Sequence, residues 1–142
     1  MQRFTFPVVL TPDKKEGGFV VTCRDVPEVV TQGETIEDAI SEAEGALEAA
    51  IEMRIEDGMS IPVPSPRKRG EHLACVPVGT AMKAALYVSM QEQKVSKAEL
   101  ARRMGLNEKE ARRMLDPNHE TKVPALERAL HALGKRIELV VV

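Results

Sequence analysis

No apolar run in this 142-residue chain approaches the roughly 18 to 20 residues that a membrane span requires, which excludes a transmembrane helix. The start, Met1-Gln2-Arg3-Phe4, has neither an apolar segment nor a cleavage pattern, so no signal peptide is expected. Cysteine is scarce. Cys23 and Cys75 fit neither a C-x-x-C redox pair nor a zinc-ligand spacing, and are expected as buried, reduced thiols of a cytoplasmic protein. Histidine is scarce too: His72, His119 and His131 are dispersed, with no carboxylate or nucleophile spaced to make a triad. No metal and no cofactor is expected.

What is present suffices for a packed core. Hydrophobic residues make up 43% and charged residues 30%, a balance that excludes a disordered chain. The net charge of −2 hides an asymmetry. Residues 1–77 hold 8 Lys+Arg and 14 Asp+Glu, a balance of −6; residues 78–142 hold 12 and 8, a balance of +4. An acidic half joined to a basic half predicts two domains, 1–77 and 78–142, with two kinds of partner.

In the first half, residues 3–11 alternate with Phe4, Phe6, Val8 and Leu10 on one side, the pattern of a half-buried strand. Pro7 lacks a ladder donor and predicts a free edge there. A turn at Lys14–Gly18 leads to a second strand over 18–24, with Phe19, Val21 and Cys23 inward, and then a short third strand at Val29–Thr31. Thr35 is a suitable N-cap, with Glu37 and Asp38 in the first turn. Ile36, Ile40, Ala43, Leu47, Ala50, Ile51 and Ile55 recur at three- and four-residue spacing, so a helix is expected to about Asp57, stopping at Gly58. Gly45 suggests close packing on the sheet, and Glu42, Glu44, Glu48, Glu52 and Glu56 suggest one solvated face. Residues 61–66 (IPVPSP) must be extended, and 73–77 read as a fourth strand. The expected class is α+β, a small sheet covered by one long helix.

Catalysis is not expected in this half. A two-metal nuclease needs carboxylates on strand interiors, and the first two strands carry none; Asp25 falls just past the second.

In the second half, a helix is expected over 78–93, with Ala81, Ala85, Leu86 and Val88 inward. Residues 95–115, VSKAELARRMGLNEKEARRML, are more specific. Ser96 with Glu99, and Asn107 with Glu110, are two capping-box patterns, and Gly105 stands where a helix end needs the left-handed conformation. Helix, Gly-x-Asn turn, helix is the helix-turn-helix pattern. Its second helix would present Asn107, Glu108, Lys109, Glu110, Arg112 and Arg113 to base edges of double-stranded DNA. Lys97 and Lys122 would contact phosphates. The competing reading is a plain helical hairpin with a charged outer face. A further helix is marked by Leu126, Ala129, Leu130 and Leu133. Residues 136–142 (RIELVVV) read as a strand whose Ile137, Leu139 and Val141 would pair with a second copy, making a homodimer suited to a two-fold operator.

Three stretches, residues 6–51, 61–66 (IPVPSP) and 99–139, together resemble the HicB antitoxins of bacterial toxin–antitoxin systems, helix-turn-helix subtype. The TQGET turn (31–35) and the DPNHETK loop (116–122) belong to that likeness. The resemblance implies a partial ribonuclease-H-like sheet without catalysis, binding to a HicA-type mRNA-cleaving toxin, and repression of the shared operon. Beside it, the loop Arg24–Glu34 is a candidate toxin contact through Asp25, Glu28 and Glu34. Two alternatives stand: a stand-alone transcriptional regulator sensing a small ligand through Thr22, Arg24 and Gln32, and an active ribonuclease using Asp25.

Overall fold

The computed structural model describes residues 2–142, so Met1 lies outside the described residues. Nine elements follow one another: β1 (Thr5–Pro12), β2 (Phe19–Thr22), β3 (Val30–Gly33), α1 (Ile36–Glu56), β4 (His72–Cys75), α2 (Val78–Gln93), α3 (Lys97–Met104), α4 (Glu108–Leu115) and α5 (Val123–Ala132). No helix among the described residues is long and apolar enough to cross a membrane.

The strands form one sheet in the order β3-β2-β1-β4, with every pairing antiparallel. β1 is shared lengthwise: Thr5–Val8 pair with β4, and Val9–Pro12 pair with β2. Pro7 explains the division. The Phe4 carbonyl accepts from the Val76 N–H at 2.9 Å, so even-numbered residues turn their backbone toward β4 and odd-numbered ones toward β2. Pro7 therefore faces the side on which the β2 ladder has already ended, where its missing N–H leaves no gap.

α1 covers one face of the sheet. Thr35 caps it by accepting from the Asp38 N–H at 3.1 Å, and Ala39, Ala43, Leu47, Ala50, Ile51 and Ile55 are its buried stripe. Ile36, expected in that stripe, is exposed, and Ala39 takes its place. Gly33 lies against that first turn, and a Cβ on Gly33 would collide with the backbone of Asp38 and Ala39. Gly45 has open space around it, so close packing on the sheet does not account for it. Cys23 is buried, as expected, whereas Cys75 is exposed, because β4 is an edge strand and Cys75 alternates with the buried Ala74.

The core has two parts. One gathers Phe6, Val8, Val21, Leu47 and Ile51 with the loop residues Val26 and Val29. The other gathers Leu86, Leu100, Leu115, Leu126 and Leu130. α2 is the wall between them. Ala84 belongs to the first cluster, with Ala81 and Val88 packed against it, while Met82, Leu86 and Met90 belong to the second. The inward face expected from sequence, Ala81, Ala85, Leu86 and Val88, is thus only part of what is covered, because this helix is packed on both sides.

The acidic face of α1 is the second departure. Glu44 accepts from the Cys75 N–H at 3.0 Å. Thr80 donates to Glu52 at 3.2 Å and to Glu48 at 3.4 Å, and Asn118 donates to Glu56 at 2.8 Å. Glu42 and Glu56 are exposed, as expected, but Glu44, Glu48 and Glu52 are half-covered, since periodicity names the sides of a helix without naming what covers them.

Residues 61–66 belong to no helix or strand, and are pinned. Arg3 donates to the carbonyls of Ile61 and Pro62 at 2.9 and 2.7 Å, and Arg24 reaches the Pro66 carbonyl at 2.7 Å. At the other end of the chain, residues 135–142 make no ladder, and Leu139 and Val141 are 75% and 87% exposed. The strand expected over 136–142 has no partner within this chain, and an isolated strand cannot satisfy its backbone. Ile137 is half-buried against the second cluster.

Candidate nucleic-acid interface and partner surface

α3 and α4 are eight residues each, joined through Gly105, which has φ +68°. A left-handed residue is needed there to end α3 and turn the chain into α4 within three residues. Ala101 and Ala111, both buried, allow the two helices to approach closely. α4 divides cleanly. Ala111, Met114 and Leu115 are buried, while Glu108, Lys109, Arg112 and Arg113 are exposed.

The expected DNA-facing residues fall into two groups. Asn107 and Glu110 form a full capping box: the Asn107 side chain accepts from the Glu110 N–H at 2.9 Å, and the Glu110 carboxylate accepts from the Asn107 N–H at 3.0 Å. Their polar atoms are engaged in starting the helix. Glu108 pairs with Arg112 at 2.8 Å across one exposed turn, a weak pair that a competing ligand can open. Lys109 and Arg113 make no ion pair among the described residues. Lys97 opens α3, and Lys122 is the N-cap residue of α5; both are exposed.

The other expected box is half made. Ser96 accepts from the Glu99 N–H at 3.1 Å, but the Glu99 carboxylate turns outward to Arg102 at 2.6 Å and Arg103 at 3.0 Å. Hydrogen bonds from Arg102, then Arg103, hold its pKa down to about 2.

One residue escaped the sequence reading altogether. Lys83, on α2, is 6% exposed and donates to the backbone carbonyls of Arg113, Asp116 and His119. Burial lowers its pKa, opposed by the nearby Asp116 and Glu52. In sequence it has the look of one more surface lysine; a lysine flanked by Met82 and Ala84 was the only available hint.

On the sheet half, Asp25 accepts from both the N–H and the hydroxyl of Ser65. Glu28 is held by Arg54 through two bonds, 2.6 and 2.9 Å, which lower its pKa. Glu34 is exposed. Thr22 and Gln32 are also exposed, but Arg24, the third candidate ligand-sensing residue, is committed to Glu71 at 2.9 and 3.0 Å. Among the described residues no group of three His, Cys, Asp or Glu is placed to hold a metal ion.

A cleft of about 600 Å³ lies between α3, α4 and α5. Met104, Leu106 and Met114 line it with apolar surface, and Arg103, Arg128 and Lys135, with Glu127 among them, line it with charge. Ile137, at the root of the exposed tail, also lines it.

Comparison with known proteins shows what the chain is similar to. Residues 5–85 match a family described as a HicB-like antitoxin of bacterial toxin–antitoxin systems. The chain is 40% identical to "Antitoxin HicB" of Escherichia coli (strain K12), over 96% of this chain and 99% of that one. It is 39% identical to "Antitoxin HicB 2" of Photorhabdus laumondii, over 99% of both chains. Against "Antitoxin HicB" of Pseudomonas fluorescens (strain Pf0-1) the identity is 34%, over 94% of this chain and 92% of that one.

Proposed function

Since the chain belongs to the HicB-like antitoxin family, we propose that it neutralises a cognate HicA-type, mRNA-cleaving toxin with its sheet half and represses its own operon with α3 and α4. It acts in the cytoplasm as a binding protein, without chemistry of its own. The observation that carries the reading is the outer face of α4, where Lys109, Arg112 and Arg113 stand exposed on the second helix of a helix-turn-helix, beside a domain of the antitoxin family. An arginine on that face can make paired bonds to guanine, while Lys97 and Lys122 set register on phosphates.

The toxin-facing surface is the loop Arg24–Glu34. Asp25 and Glu28 shape it through Ser65 and Arg54, and Glu34 is free to meet a basic partner. Two copies associate through the tail. Leu139 and Val141 are exposed, beyond Ile137, which lines the cleft, and pairing two tails would cover unpaired backbone and apolar surface together.

Co-expression with the small open reading frame adjoining this gene tests the first part. The expected result is growth rescue by the full chain, with copurification of the two proteins. A toxic neighbour that the chain neither rescues nor binds rules the antitoxin reading out. Mobility shift on the duplex upstream of the gene tests the second part; no preference for it over unrelated duplex at physiological salt ends the repressor reading.

A further inference from the structure

The Lys83 ammonium has three N–H donors and meets three carbonyl oxygens, those of Arg113, Asp116 and His119. The first belongs to the last turn of α4 and the other two to the loop that follows it. A cation at a helix C-terminus complements the partial negative charge of the unpaired carbonyls, and here it is buried, where such an interaction is screened least. The loop it grips runs on to Lys122, the N-cap residue of α5. Lys83 therefore holds, by backbone alone, the stretch between Arg113 and Lys122.

The support behind it comes from the sheet half. One turn earlier on α2, Thr80 bonds to Glu48 and Glu52 of α1, and Asn118, inside the gripped loop, donates to Glu56 at the end of α1. The charges of Asp116 and Glu52 act on the ammonium.

We propose that Lys83 is a positioning residue for DNA recognition: from the buried side it fixes the spacing between Arg113 on α4 and Lys122 at the start of α5. This rests on α4 being the recognition helix. Lys83 touches no DNA; it acts through the backbone of residues that do.

The test compares the full chain with Lys83→Met, Lys83→Gln and Arg113→Ala, alone and with Lys83→Met and Arg113→Ala combined. The probe is the duplex upstream of the gene. Lys83→Met should weaken binding by on the order of tenfold and speed amide exchange over residues 116–121. Toxin neutralisation should be unchanged. Combined with Arg113→Ala it should add less than its separate effect, because the two act as one unit. Lys83→Gln, which keeps a donor without the charge, should fall between and stands in if Lys83→Met fails to fold. Arg113→Ala weakening binding while both Lys83 variants bind like wild type overturns the proposal alone. Full additivity overturns it as well, since a lysine acting only on overall stability would give that result. A wild-type chain that does not prefer the duplex overturns the repressor reading, and the proposal with it.

Discussion

Arg24 closes on Glu71 with two hydrogen bonds, Nε to Oε2 at 3.0 Å and Nη2 to Oε1 at 2.9 Å. The pair spans 47 residues of sequence and ties the end of β2 to the start of β4. Glu71 also accepts from the Lys68 N–H at 2.7 Å. Bonds from Arg24 first, and Lys68 next, hold its pKa down to about 2 from an ordinary 4.5.

A depressed carboxylate pKa stabilises the fold above the unfolded value and loses that contribution as pH falls toward the folded one. The pair should therefore support the fold at neutral pH and cease to do so between about pH 4.5 and 2. Glu71→Gln should lower Tm at pH 7, and its Tm should converge on wild type as pH approaches 2. A gap between the two melting curves that stays constant from pH 7 to pH 2 would contradict the assignment.

Gly45 is exposed on α1 with open space where a side chain would stand. Gly45→Ala should stabilise the protein by up to about 1 kcal/mol in chemical denaturation, through helix propensity. Gly33→Ala should do the opposite, costing about 1 to 3 kcal/mol, because its Cβ meets the first turn of α1. Equal effects at the two positions would refute the contrast.

Asn107 separates a capping role from a base-reading one. Asn107→Ala should cost about 1 kcal/mol of stability and weaken DNA binding. Asn107→Ser keeps a cap but loses the amide that could pair with adenine, and should recover both stability and binding. Stability recovered without binding would return Asn107 to the base-reading group.

α2 serves both cores, which makes the boundary expected at residue 77 a testable one. A fragment ending there lacks Ala81, Ala84 and Val88, all packed on the first core. Residues 1–94 should melt cooperatively, whereas residues 1–77 should give a broad transition and bind hydrophobic dye. A cooperative melt of the shorter piece would place the boundary where the charge balance alone suggested it.

Arg113→Ala should cost about 1 to 3 kcal/mol on the upstream duplex and relax its sequence preference, while Lys122→Ala should lower the salt slope by about one. Neutralisation of the toxin should survive both changes. A folded Arg113→Ala protein that no longer neutralises would show that the two halves do not divide the work as described.

Local chemistry made much of this protein legible in its sequence. Thr35, Asn107 and Glu110 cap helices with their own side chains, Gly105 turns between two of them, and α1 begins and ends within a residue of where its apolar spacing and Gly58 place it. Those interactions reach at most four residues along the chain, so the residues alone declare them. Tertiary structure decided everything that depends on what lies opposite. Asp25 and Glu28 closed on Ser65 and Arg54. Glu44, Glu48 and Glu52 were half-covered, and Lys83 went inside. A charged side chain is long, carries several donors or acceptors, and is as stable in water as against a matched partner. Its sequence neighbours therefore leave its destination open, and only the arrival of a distant carbonyl or carboxylate settles it.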